Sequence, residues 1–436
     1  MLVLALALAL QQQLSIGDAV KQAHANNPAF QKTLNDVEVA EADVRQRWGG
    51  FLPSVSADLR FSGFTSSRVT GENDYGEPVR LPQAIDIKGS SAQQGIGLSM
   101  TLFDGGGVLR ELNAAKAQVT ASNARIQSEA LRLQGEVTRQ YYRAIRAARL
   151  IDVEKQLLKS AQERLERTEA LLRVAGSGPV DVLGAQAEVA SQEQQVARTQ
   201  ADARKELLVL QELMGAAGDV AYELTSDLPA PFDPNILSVH DLVQRAVSSA
   251  PDVLAAQAGT RAADQQASAV RSRRLPSITA NAGYGRSMSL SSYDALFEMD
   301  PQNRAFNFGV TASMPLFNGF RTSAEVARAD ATRDDARHDQ RQAVLRAERQ
   351  VRTAHIDVVN AYKLLELAER KAALSRQRLE LAQEQYRNGA MSFAELQIVI
   401  DRTASAEREV VDARAQYASN LSVLEQYVGG SLTAGR

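Results

Sequence analysis

The chain has 436 residues, enough for two or three ordinary domains, with a formal net charge of −3. That balance calls for no nucleic acid, and the densest basic spot, Arg271 to Arg274, reads as a helix C-terminus, where cations favour the dipole. There is no cysteine, which excludes disulfides, Cys-ligated metal sites, cysteine nucleophiles and a lipidated Cys in this sequence.

Residues 1–13 read as a truncated secretory signal peptide. Leu2 to Leu10 is an apolar run, and Ala7-Leu8-Ala9 has small-x-small cleavage chemistry, but the first basic residue is Lys21. A chance apolar stub is the other reading. No later window approaches 18 consecutive apolar residues, so no transmembrane helix is expected. Any passage through a membrane must then be made by a closed β-barrel.

The rest of the chain is one unit written twice. Residues 14–57 align with 237–280 without a gap, with 11 identities in 44, among them Pro28/Pro251 and Leu52-Pro53-Ser54/Leu275-Pro276-Ser277. From Phe103 the offset changes from 223 to 214 and holds to Gly215/Gly429. The predicted organisation is a first repeat over 14–215, a linker over 216–236, a second repeat over 237–429 and a tail over 430–436.

Each repeat opens with an amphipathic helix, about 15–48 and 238–272. The proline of Leu-Pro-Ser ends it, because proline lacks a donor and disfavours helix before it. Strands follow at about 52–64 and 94–103, and at about 275–287 and 305–317. They alternate apolar and polar residues, the signature of a strand with two unlike faces. Their polar members include Ser54 and Ser56; Gly97, Ser99 and Thr101; Ser277 and Thr279; and Asn307, Thr311 and Ser313. Strands of about ten residues can cross a bilayer, apolar side to lipid and these residues to a water-filled lumen. A half-buried soluble sheet alternates in the same way. The polar loops 65–94 and 287–305 favour the barrel, since long loops at one end are usual there.

Helical hairpins close each repeat, about 107–174 with 178–214 and about 320–388 with 392–428. The long arm spans on the order of 100 Å. In the second copy Val344, Ala347, Val351, Ala354, Val358, Ala361, Leu365, Ala368, Ala372, Ser375, Leu379, Ala382 and Tyr386 recur at 3-4 spacing, a heptad seam. Glycine-bearing turns end the long arms at Ala175 to Pro179 and Asn388 to Ser392. No catalytic constellation, phosphate loop or metal-ligand spacing is present, so neither an enzyme nor a cofactor is expected. Histidines 24, 240, 338 and 355 are scattered, and His355, off the seam, reads as part of a solvated face. A periplasmic coiled-coil adaptor or a soluble scaffold would also carry such hairpins, but neither explains the duplication or the four strands.

The segments Leu14 to Phe30, Leu52 to Leu59 and Leu98 to Gly106, with their partners Leu275 to Gly283 and Ala312 to Phe320, resemble the outer-membrane efflux proteins of the TolC family. The resemblance runs from Leu14 to Gly429. It implies a mainly α protein with transmembrane β: a homotrimer whose protomers each give four strands to a twelve-stranded β-barrel and long hairpins to an α-barrel. Sequence alone leaves three copies or four open. It further implies outer-membrane lipid around the strands, a periplasmic adaptor, an inner-membrane pump of RND, ABC or MFS type, and passive efflux or type I secretion. In this family the hairpin tips close the periplasmic entrance and meet the adaptor. Carried onto this chain, the closing network falls on Arg173, Asp181, Tyr386, Arg387 and Glu395, and the adaptor contacts on Gly176, Ser177, Gly178, Gly389, Met391 and Ser392. Ordinary helix termini would place the same acids and bases similarly. Some relatives carry a basic residue in the turn where this chain has Met391.

Overall fold

The computed structural model describes residues 12–72, 74–173, 178–218, 222–291 and 303–432. The elements run β1 (Gln12–Leu14), α1 (Ile16–Asn26), α2 (Pro28–Gly49), β2 (Ser54–Glu72), β3 (Pro78–Phe103), α3 (Gly107–Arg173) and α4 (Pro179–Met214). Then come β4 (Tyr222–Leu224), a short 3-10 turn (Pro234–Ile236), α5 (Val239–Ser249), α6 (Pro251–Ser272), β5 (Ser277–Leu290), β6 (Asn303–Ser313), α7 (Arg321–Arg387) and α8 (Phe393–Val428). The two long arms are 67 residues each and the two return arms 36 each, so the duplication is carried in full by the helices.

The chain divides into two compact units. One comprises residues 38–120 and 258–338, the other 1–37, 121–257 and 339–436. The first contains an antiparallel four-stranded sheet in the order β2-β3-β5-β6. Helices enter and leave this sheet at one end, and the β2–β3 and β5–β6 connections lie at the other. The Asp/Asn of the repeated Leu-Phe-Asp/Asn-Gly junction caps the helix that follows. Asp104 Oδ2 accepts from the Val108 N–H at 2.7 Å, and Asn318 Oδ1 from the Thr322 N–H at 3.4 Å. Gly105 has φ +72°, and a Cβ there would fall 2.8 Å from Leu275. Glycine is therefore required by both conformation and space.

In the second unit the long helices bury their seams. Val351, Ala354, Val358, Ala361 and Leu365 of α7 form one core with Tyr417, Leu421, Leu424 and Val428 of α8 and Leu242 and Ala246 of α5. The first repeat builds the matching core from Ala19, Ala23 and Phe30, Leu133, Val137 and Tyr141, and Leu210 and Met214. Burying the larger of these side chains stabilises by about 1.5–3 kcal/mol apiece.

Four features depart from the sequence reading. Each opening helix is two helices, broken at Asn27–Pro28 and Ala250–Pro251, where proline cannot donate. The expected polar loop 65–94 is mostly ladder, because β2 and β3 stay paired out to Glu72↔Pro78. β6 stops at Ser313 rather than near 317, ahead of Pro315, which cannot donate to a ladder. The linker holds a strand: β4 pairs parallel with β1, so Gln12 and Gln13, read as the end of a leader, belong to a sheet. Residues 1–11 of that leader, most of the loop 287–305, Gly176 and Ser177 of the tip, and 433–436 of the tail lie outside the described residues.

His355 is also corrected. It is half-buried, and its Nε2 lies 3.4 Å from the Pro234 carbonyl. Its repeat mate is Tyr141, wholly buried, whose hydroxyl donates to the Leu14 carbonyl at 2.7 Å and accepts from the Ser226 N–H at 3.0 Å. Corresponding positions thus anchor the segments leading into each repeat. Tyr141→Phe should lower stability by about 1–3 kcal/mol, the cost of leaving buried backbone groups without a partner. Denaturant unfolding checks this, and an unchanged midpoint would contradict it.

Candidate functional site

The first candidate surface is the sheet. Its register aligns residues in rows across all four strands. Val55–Leu98–Ala282–Phe308 and Ala57–Ile96–Tyr284–Phe306 lie on one face. Ser54–Ser99–Asn281–Gly309 and Ser56–Gly97–Gly283–Asn307 lie on the other. Thr101–Thr279–Thr311 and Ser277–Ser313 extend the second face. All ten residues expected to share a polar face therefore do so. The apolar face is open to solvent in the single chain, with Phe308 81 % and Val310 68 % exposed. Among the described residues β2 and β6 are both edge strands, so each offers one side of its backbone for pairing with a further strand.

The second candidate surface is the pair of hairpin tips. Gly389, with φ +72°, ends α7. Ser392 and Glu395 then form a capping box: Ser392 Oγ accepts from the Glu395 N–H at 3.3 Å, and Glu395 Oε2 accepts from the Ser392 N–H at 2.9 Å. Those bonds from Ser392, backbone first and hydroxyl second, hold the Glu395 carboxyl below its usual range. In the first repeat Gly178 replaces the serine, so only the return bond exists, from the Gly178 N–H to Asp181 Oδ2 at 3.1 Å. Tyr386 packs edge-on against Phe393 at 6.2 Å and joins a small core of Ala382, Leu396, Val399 and Ile400 with Met391. Burial first, and the charge of Asp181 second, push the Tyr386 hydroxyl up, while a hydrogen bond with Thr168 opposes them.

The structure thus brings Tyr386 and Asp181 together and places Asp181 and Glu395 as helix caps. It does not join the arginines to them. Arg387 bonds the Gln383 carbonyl of its own helix at 3.4 Å, and among the described residues no ion pair links Arg173 or Arg387 to either acid.

A third cluster was missed by sequence reasoning. Glu154 of α3, 2 % exposed in its side chain, receives a bidentate bond from Arg408 of α8 at 2.6 and 2.9 Å. The bond to Glu154 raises the Arg408 pKa above its ordinary value. Arg146–Asp412 at 2.6 Å and Arg139–Gln426 at 2.9 Å continue this contact between the two repeats. A signal was present. Mapping the second-copy seam back by 214 residues lands on Gln140, Glu154 and Thr168, three polar residues in an otherwise apolar stripe. Each has its partner: Gln140 donates to Glu206, Glu154 accepts from Arg408, and Thr168 bonds Tyr386.

An α-hairpin protein with a two-faced, open-edged sheet is the architecture of a channel-forming outer-membrane protein. The model of the family described as outer membrane efflux protein matches residues 19–216 and 242–430, and the chain belongs to that family. It is 26 % identical over 431 residues to outer membrane protein OprJ of Pseudomonas aeruginosa, covering 94 % of this chain and 83 % of that one. It is 25 % identical over 342 residues to cation efflux system protein CusC of Escherichia coli O157:H7, covering 75 % and 70 %. Its fold is similar to the crystal structure of the Campylobacter jejuni CmeC outer membrane channel, with TM-score 0.76, 18 % identity and coverage of 99 % and 92 %. The protein is an outer-membrane efflux channel of the TolC family, and the adaptor and scaffold readings are set aside. Proteins of this kind are channels rather than enzymes.

Removing one member of a buried ion pair strands the other. Arg408→Met should therefore destabilise by on the order of 3 kcal/mol, while Glu154→Met with Arg408→Met should recover most of the loss. Denaturant midpoints of wild type and the two variants test this, and a wild-type midpoint for Arg408→Met alone would contradict it.

Proposed function

We propose that three copies of this chain close a twelve-stranded barrel in the outer membrane and pass substrates outward through a helical tunnel. One observation carries the reading: a four-stranded sheet with an apolar face, a polar face and two open edges. In hydrocarbon every backbone donor and acceptor must be satisfied, so the edges must be paired. Four strands cannot wrap on themselves. Eight would enclose a space that side chains fill, and more leave a channel. The polar face is mainly Gly, Ser, Thr and Asn, with Asp58, Arg60 and Gln93 towards the turns, and these small residues at its helix end do not plug a lumen. Exposed aromatics stand on this part of the molecule at two levels, Trp48, Phe51, Phe103, Phe317 and Phe320 on the helix side and Tyr284, Phe306 and Phe308 further towards the turns. Aromatic girdles of this kind mark the two interfaces of membrane barrels.

At the tips, Tyr386, Asp181 and Glu395, with Arg173 and Arg387 of the same or neighbouring copies, hold the periplasmic entrance shut. The turn residues Gly176 to Gly178 and Gly389 to Ser392 receive a periplasmic adaptor, which links the channel to an inner-membrane pump. The pump selects the substrate, because a tunnel of this kind discriminates mainly by size and charge.

The closure is tested by conductance. Asp181→Ala with Glu395→Ala should raise the single-channel conductance of the reconstituted protein, and an unchanged conductance would overturn the tip assignment.

A further inference from the structure

α4 is the return arm of α3, and α8 lies antiparallel to α3 through Arg139–Gln426 and Arg408–Glu154, so α4 and α8 run parallel. Near the tips they touch: a Cβ added to Gly184 of α4 would meet the Phe393 ring of α8 at 3.2 Å. About one turn further along, Glu188 of α4 comes level with Gln397 of α8. Another turn on, Gln192 comes level with Asp401. The pattern is crossed, an acid facing an amide in both turns. Burial lowers the Arg164 pKa, and the charges of Glu188 and Asp401 both oppose it, so the two acids stand around one guanidinium of α3.

Each glutamine bonds the acid of its own helix. Gln192 Nε2 donates to Glu188 Oε1 at 3.0 Å, and Gln397 Nε2 to Asp401 Oδ1 at 3.1 Å. Residues four apart face each other on a helix, so both bonds are internal to one helix and neither ties α4 to α8. The amide oxygens, Gln192 Oε1 and Gln397 Oε1, are buried and accept from no protein group. Among the described residues they are the two buried side-chain oxygens or nitrogens in that position. A buried acceptor without a donor loses its hydration and gains nothing for it. If α4 and α8 separate at these turns, water reaches both oxygens, and the glutamine bonds stay intact.

The layers on either side are built to hold. Towards the tip, Leu396, Val399 and Ile400 of α8 pack with Ala382 and Tyr386 of α7, and Phe393 meets the Tyr386 ring. Away from the tip, about two turns beyond Asp401, the bidentate Arg408–Glu154 bond joins α8 to α3. We infer that the glutamine layer is a parting line: when the entrance opens, α4 and α8 separate at Glu188–Gln397 and Gln192–Asp401, and the Arg408–Glu154 pair stays joined as the pivot. The two glutamines thus bias the hairpins towards release, and the tip contacts oppose them. The inference rests on the proposed reading that the tips hold the entrance shut, and it adds where the hairpins give way once the tips let go.

The test records single channels of the full-length protein in planar bilayers with no other protein added. Gln192→Met with Gln397→Met keeps the side-chain length and removes the two oxygens. Made in the Asp181→Ala, Glu395→Ala background, where a decrease is readable, it should lower the ratio of open to closed time by on the order of ten-fold per oxygen. In the otherwise wild-type chain the same pair should raise the denaturant midpoint. Gln192→Glu with Gln397→Glu sets a second negative charge one turn from each acid and should raise the conductance. If the glutamine bonds merely support the fold, the methionine pair instead gives a leakier protein with a lower midpoint, and that result would overturn the parting line. A raised conductance for Asp181→Ala with Glu395→Ala, but no change with either glutamine pair, also overturns it and leaves the closure reading standing. A raised conductance for the glutamate pair alone supports the parting line and removes the tip assignment.

Discussion

The structure depends on one constraint: the unpaired backbone edges of a four-stranded sheet that is apolar on one side. Among the described residues β2 and β6 are the two edge strands of the sheet, each paired with a strand on one side only. In water such edges invite indiscriminate pairing. In a bilayer they are intolerable unless closed. The repeated unit answers this by giving every chain two staves of a barrel, and the offset of 214 residues places the same capped junction after each of them. Asp104 and Asn318 do the same work there, ending the strand connection and starting a 67-residue helix.

The helices follow the same duplicated plan, but the two copies are not equivalent. In the second repeat the seam of α7 is almost wholly Ala, Val and Leu. In the first, Gln140, Glu154 and Thr168 interrupt the corresponding stripe at intervals of 14 residues. An apolar seam sets a close approach but specifies register weakly. Polar groups buried in it must each find a partner, and they do so on α4, α8 and α7 respectively. Such groups are best understood as fixing which neighbour lies where. They also connect the interior to the tip, since Thr168 meets Tyr386, and Tyr386 lies close to Asp181.

Much of this was legible in the amino-acid sequence, because its periodicities are strong. Alternation in Ser277 to Leu290 and the 3-4 spacing from Val344 to Tyr386 each report a face directly. What could not be read depends on pairing between distant segments. Nothing local in Gln12–Leu14 announces a parallel partner at Tyr222–Leu224. Between Thr65 and Gln94 the alternation of Val79, Leu81, Ile85 and Ile87 with Arg80, Asp86 and Lys88 is a strand signature, but the Gly, Ser, Asn and Asp around it read as loop, although the backbone is paired over most of the stretch. Pro28 and Pro251 were visible as repeat mates, yet whether a proline breaks or begins a helix is decided by the packing around Asn27, whose side chain donates to the Leu213 carbonyl and accepts from the Ala29 and Phe30 N–H groups. At the tips the residues were named correctly as acids near helix starts. The bonds they make within the chain are local caps.

The most direct test of the account is covalent. The chain has no cysteine, so introduced pairs are unique. Ala57→Cys on β2 can be combined in turn with Phe306→Cys, Phe308→Cys and Val310→Cys on β6. Within one chain these positions are separated by two intervening strands, roughly 14 Å at the usual strand spacing, too far for a disulfide. Oxidation of the protein in outer membranes should then give, for the pair in register, a ladder of one, two and three linked chains and nothing larger. Chains that stay monomeric with all three pairs, or a ladder that continues past three, would contradict the closed three-copy barrel.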